Sequence, residues 1–185
     1  MAEPATAAEL LQQARAHERA GAMVEALREY HAAIESAERD GERGLLAEAL
    51  RRLGVAHHHR NESDQARALC RRSYETAIAM GNPVLAAEAL NALAGFDFEA
   101  GSISEAREKF YRALELGGAS AELRGRTEQN LGILANIQGN LAEALAHYQR
   151  SLEAFESIAD DRGSAEDRAS ATAGNAAPVS ATAAR

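Results

Sequence analysis

Cysteine is nearly missing from this 185-residue sequence: Cys70 stands alone, so neither an internal disulfide framework nor a cysteine-based metal site of the usual kind can form. Tryptophan is absent and aromatics make up 4% of the chain, which leaves no broad platform for stacking nucleobases. Positive charge is in deficit, with Lys+Arg 20 against Asp+Glu 28 and a net charge of -8. The counterion-release term that drives nucleic-acid binding is therefore lacking, and no nucleic-acid partner is expected. No stretch approaches the ~20 consecutive apolar residues needed to cross a bilayer. The opening MAEPATAAEL has neither the basic region nor the apolar core of a signal peptide. No membrane partner and a cytoplasmic location are the resulting expectations.

What the chain does have is alanine. The hydrophobic fraction is 46%, but 44 of those residues are Ala, so large apolar side chains are scarce. Alanine has the highest helix propensity and lets helix backbones approach closely, so the composition points to thin, repeated helical layers rather than one deep core.

Small residues recur about every 40 positions. Ala14, Gly54, Ala94 and Gly132 form one column, Ala26, Ala66, Ala106 and Ala144 a second, and Ala33, Ser73, Ala113 and Ser151 a third. Ala, Gly and Ser together are roughly 37% of the chain, so twelve small residues at twelve positions have a chance probability on the order of 10⁻⁵. A turn column of Gly21, Asn61, Gly101 and Gly139 lies between the first two, and these residue types tolerate a left-handed backbone. A packing column reads Tyr30, Cys70, Phe110 and Tyr148. Each unit has room for two helices and two short connections, with small residues where the ridges of antiparallel partners cross. The pattern predicts helices at about 5–20, 23–39, 43–59, 63–80, 83–99, 103–116, 120–138 and 141–159. Asp40-Gly41, Gly81-Asn82-Pro83, Gly117-Gly118 and Asp161-Arg162-Gly163 punctuate the units.

The segments LRRLGVAHHHRNESDQARALCRRS, LNALAGFDFEAGSISEAREKFYRA and EQNLGILANIQGNLAEALAHYQRS resemble the tetratricopeptide repeat family in its 40-residue variety. The resemblance covers residues 7 to about 160. It implies an all-α fold, a right-handed superhelical solenoid of about four antiparallel hairpins, with repeats at about 7–40, 43–81, 83–118 and 120–160 inside an array spanning 1–163. The family's first large aromatic is replaced by Leu10, Leu50, Leu90 and Glu128, and its helix A tyrosine by His17, His57, Asp97 and Ala135. Residues 164–185 contain only Val179 among the larger apolar residues, which predicts a marginal capping helix or a disordered tail. Leu152, Phe155 and Ile158 would then be partly open, inviting a homodimer through the C-terminal helix or docking of a partner, unless the tail folds over them.

Catalytic and metal chemistry finds little purchase. Consecutive helical residues point about 100° apart, so His57, His58 and His59 cannot converge on one ion, and no HExxH pattern is present. Cys70 falls in the packing column, where a buried neutral thiol is expected. There is no GxSxG, P-loop or GxGxxG, and the carboxylates fall on predicted outer faces. The expectation is a protein that is not an enzyme and takes no metal or cofactor.

The family resemblance implies that the first helix of each hairpin lines a concave groove. The inward positions include Arg15, Arg51, Arg52, His58, Asn91, Phe98, Gln129, Asn130, Ile133 and Ile137. Arginine forks suit carboxylates and amide side chains can follow a peptide main chain, while Phe98, Ile133 and Ile137 form an apolar end. These residues are the expected peptide-binding site of an interaction scaffold or adaptor, its partner a protein segment bearing acidic residues. The alternatives are that Arg51 and Arg52 pair with Glu48, Glu88 or Glu99 across repeats, and that the array is an oligomerisation or peptide-sensing module of a larger regulator.

Overall fold

A computed structural model describes residues 5–174, with side chains through Asp160. Eight helices follow one another among the described residues: α1 (Ala7–Arg19), α2 (Met23–Asp40), α3 (Arg43–His59), α4 (Ser63–Ala79), α5 (Pro83–Glu99), α6 (Ile103–Gly117), α7 (Ala121–Ile137) and α8 (Leu141–Gly174). Their starts follow local chemistry. Thr6 and Glu9 form a reciprocal capping box ahead of α1, Asn82 caps the Leu85 amide with Pro83 in the first turn of α5, and Ser120 caps the Leu123 amide on α7.

Each odd helix pairs with the even helix that follows it, and the four hairpins stack in sequence order. The turn column is uniformly left-handed, with φ of 75° at Gly21, 62° at Asn61, 80° at Gly101 and 81° at Gly139. The twelve small positions are all buried. A methyl on Gly54 would lie 2.7 Å from Cys70 Sγ and 3.0 Å from the Ala66 carbonyl oxygen, so α3 and α4 meet there at backbone distance. Where the third small column carries serine, the hydroxyl donates across to the facing helix: Ser73 Oγ to the Ala47 carbonyl at 2.6 Å, and Ser151 Oγ to the Gly125 carbonyl at 2.8 Å.

The expected end of the last helix near residue 159 needs correction. Helix α8 runs through Asp161-Arg162-Gly163 to Gly174. That stretch holds no proline to remove a backbone donor, and one helical glycine costs only about 1 kcal/mol against alanine. Of the expected C-terminal segment, residues 175–185 lie outside the described residues.

Candidate functional site: the odd-helix face

The odd helices also touch one another, α1 with α3, α3 with α5 and α5 with α7, whereas among the described residues the even helices do not. The odd set therefore forms the inner layer of the curved stack. Polar side chains are brought together along it at the seams between successive repeats. Arg15 of α1 and Arg52 of α3 share the Oε1 atom of Glu48, with Arg52 Nε at 3.2 Å. Arg51 reaches forward to Glu88 of α5 at 2.7 Å, and Arg126 of α7 reaches back to the same carboxylate at 3.4 Å. Asn91 Oδ1 accepts hydrogen bonds from the Thr127 hydroxyl at 3.0 Å and from Asn130 Nδ2 at 3.4 Å.

Each glutamate is thus shared by two arginines, and four guanidinium groups face two bridging carboxylates. Glu122 comes within 4.0 Å of Arg126 from the solvent side. The Nε atoms of Arg15, Arg51 and Arg126 have no hydrogen-bond partner. Burial lowers the pKa of Arg15 from its usual value, and repulsion from Arg52 and Arg51 adds to it. Burial likewise lowers that of Arg51, offset by Glu88 and reinforced by Arg52 and Arg126. Along this face of a chain of net charge -8, four guanidinium groups thus meet three carboxylates. Side chains of Arg15, Arg52 and Arg126 remain 35%, 30% and 39% exposed, but Arg51 only 11%.

Two hollows of about 430 and 270 Å³ lie between the N-terminal halves of α1, α3 and α5, and both are bordered by Leu45 and Glu48. Gln12 and Arg15 line the smaller, and Val84 and Leu85 the larger.

The residues expected from the sequence do not form one patch. Arg15 and Arg52 share a rung, Arg51 is sequestered, and Asn91 and Asn130 bond to each other. Gln129 is exposed, and Ile133 and Ile137 stand 37% and 65% exposed on α7. His58 stacks on Phe96 at 4.1 Å between ring centroids and its Nε2 pairs with Glu99 at 2.9 Å, at the turn end of the helices. Phe98 is half-buried against the Ala94, Phe110 and Leu131 cluster.

The expectation that the carboxylates lie on outer faces is also corrected: Glu48 and Glu88 sit among the arginines, and Asp97 and Glu128 are buried. Asp97 takes Lys109 at 2.6 Å and Arg67 at 2.5 Å, and Glu128 takes His147 at 2.6 Å and Arg150 at 3.0 Å. Sequence reasoning named Glu48 and Glu88 only as alternative partners of Arg51 and Arg52, a pairing the structure shows, and it missed Arg126. Glu48, Glu88 and Arg126 share one repeat column, and that equivalence was the available signal.

Cys70 is fully buried, and burial pushes its thiol up to about 12, so it is not poised as a nucleophile. Among the described residues no group of three His, Cys, Asp or Glu side chains is placed to hold a metal ion, and no helix is long and apolar enough to cross a membrane.

Residues 85–157 match the family model described as Tetratricopeptide repeat. No curated protein matches the sequence. Among solved structures, BtubC (BKLC) from P. vanneervenii is similar with a TM-score of 0.67 at 18% identity, covering 82% of this chain and 64% of that one. MamA is similar with a TM-score of 0.53 at 20% identity, covering 83% of this chain and 81% of that one. The chain thus spans about 64% of the length of BtubC, and at such identities the likeness shows the fold alone.

Proposed function

From the premise that this chain carries tetratricopeptide repeats, at residues 85–157 by the family match, we propose that it is a non-catalytic scaffold whose odd-helix face holds an extended, acidic segment of a partner protein. The observation that carries this reading is the surplus of guanidinium charge: Glu48 and Glu88 each serve two arginines. Carboxylates arriving from a partner would complete the pairing of Arg15, Arg52 and Arg126, which keep exposed surface. Arg51 acts from beneath by fixing Glu88. The hollows beside Leu45, Val84 and Leu85 offer room for apolar side chains of the same segment, and Gln12 and Gln129 are placed to meet its main chain. Ile133 and Ile137 extend the surface at the far end.

Selection from a displayed library of random peptides tests this. Peptides retained by the wild type should be enriched in Asp and Glu, and their affinity should fall as salt rises. Arg52→Ala and Arg126→Ala should each weaken binding by about 1 kcal/mol, roughly fivefold. Selected peptides without acidic bias, or unchanged affinity in the double variant, would refute the reading.

A further inference from the structure

Helix α8 carries large apolar residues at Leu141, Leu145, Tyr148, Leu152 and Phe155, spaced 4, 3, 4 and 3 apart, which is the spacing of a coiled-coil seam. Leu141, Leu145 and Leu152 are 63%, 63% and 58% exposed. The repeat equivalence shows how unusual this is. Tyr30 and Phe110, equivalents of Tyr148, are 0% and 1% exposed because the next hairpin covers them, whereas Tyr148 is 36% exposed.

The face is not an ordinary stacking surface left open. The equivalents of Phe155 are Ala37, Ala77 and Gly117. Even a methyl added at Gly117 would collide with Leu123 of the following helix and approach Ala87 Cβ to 2.7 Å. A phenylalanine there excludes another hairpin docked as the internal ones are. Its ring bends back over α7, where a methyl on Gly125 would lie 2.9 Å from it, and Tyr148 likewise lies over Gly132.

The 11 residues that follow Gly174 are too few to reach Leu145 and Leu141. Gly174 lies 29 helical residues beyond Leu145, about 44 Å away, and 11 residues span at most about 38 Å. A head-to-tail contact has no match either, since the large exposed apolar residue at the α1–α2 end is Val24 among the described residues. Like must therefore meet like, as a two-fold axis requires.

We propose that α8 pairs with α8 of a second copy of this chain, antiparallel, with Tyr148 at the two-fold axis, Leu145 against its partner's Leu152, and Leu141 against its partner's Phe155. The charges flanking the seam fit that direction. Running antiparallel, Glu156 faces Ala142 and Gln149 faces itself, so no like charges meet across the seam. Dimerisation is independent of the odd-helix groove and leaves it open, so the assembly presents two grooves.

Light scattering on the 185-residue chain from about 1 to about 200 μM tests the proposal, with the expected mass rising to twice 19.7 kDa and no further. Leu145→Glu with Leu152→Glu should raise the dimer dissociation constant at least tenfold with the helical circular dichroism retained, since both side chains are already solvent-facing. As a second readout, Tyr148→Cys should oxidise to a covalent dimer, while Leu141→Cys should not. A monomer throughout, a mass growing beyond two copies, a dimer indifferent to the two glutamates, or self-crosslinking of Leu141→Cys would each overturn it.

Discussion

At the scale of single residues, the buried charges show how an alanine-rich array fixes its register. Asp97 stands where the family has an aromatic, and its side chain is 8% exposed between Arg67 of α4 and Lys109 of α6. Burial pushes its pKa up, but hydrogen bonds from Lys109 and Arg67 outweigh this and hold the carboxyl below its usual range. The folded state therefore gains stability from ionised Asp97 above the ordinary aspartate pKa, and loses it as pH falls through the lower folded value. Asp97→Asn should lower stability at pH 7 by about 2 kcal/mol, because two cations lose a buried partner. It should also flatten part of the decline below about pH 4, measurable by urea denaturation across pH. A variant with wild-type stability and an unchanged acid limb would deny Asp97 this role. The residue was visible in the sequence as a departure from the family. Its partners were not, because Arg67 and Lys109 come from the preceding and following helices and only the three-dimensional stacking brings them together.

At the scale of elements, helix packing was the most legible feature, since it rests on size at fixed spacing. The small columns and the turn column needed no long-range information: a crossing of two helices excludes large side chains, and a left-handed turn favours glycine or asparagine whatever surrounds it. The groove pairings were less legible, because which of several glutamates meets Arg51 or Arg52 depends on the offset between successive hairpins, which one repeat's spacing leaves open. Helix α8 ends later than the sequence predicts because Asp161-Arg162-Gly163 has the composition of a turn but lies within a run that continues helical to Gly174. Helix contacts differ in how much they can yield. Gly54→Ala sets a methyl against Cys70 Sγ and the Ala66 backbone oxygen, neither free to move, and should cost about 1 to 3 kcal/mol. Gly132→Ala meets the edge of the Tyr148 ring at 2.6 Å, and in the single chain, at concentrations below dimer formation, that ring lies on the open side of α8 and can turn outward. The gain of about 1 kcal/mol in helix propensity then offsets most of the strain, leaving the change near neutral. Thermal melts of both variants check the contrast, and equal losses would mean that α8 is held as rigidly as the internal helices.

At the scale of the whole molecule, an acidic protein sets Arg15, Arg51, Arg52 and Arg126 along the inner face of a stack, where Glu48, Glu88 and Glu122 are their carboxylate partners. On the proposed reading that distribution favours an acidic guest, and it is separate from the apolar seam on α8. Both follow from one property of repeat arrays: each hairpin needs only its neighbours, so the inner face and the free end are open to other uses. Photo-crosslinking residues placed at Gln12 and Gln129 on the inner face, and at Gln65 on exposed α4, would be irradiated in lysate of the source cell. A shared adduct is expected at Gln12 and Gln129, lost in Arg52→Ala/Arg126→Ala and missing at Gln65. An adduct at Gln65 alone, or one indifferent to the two arginines, would contradict a partner site on the inner face.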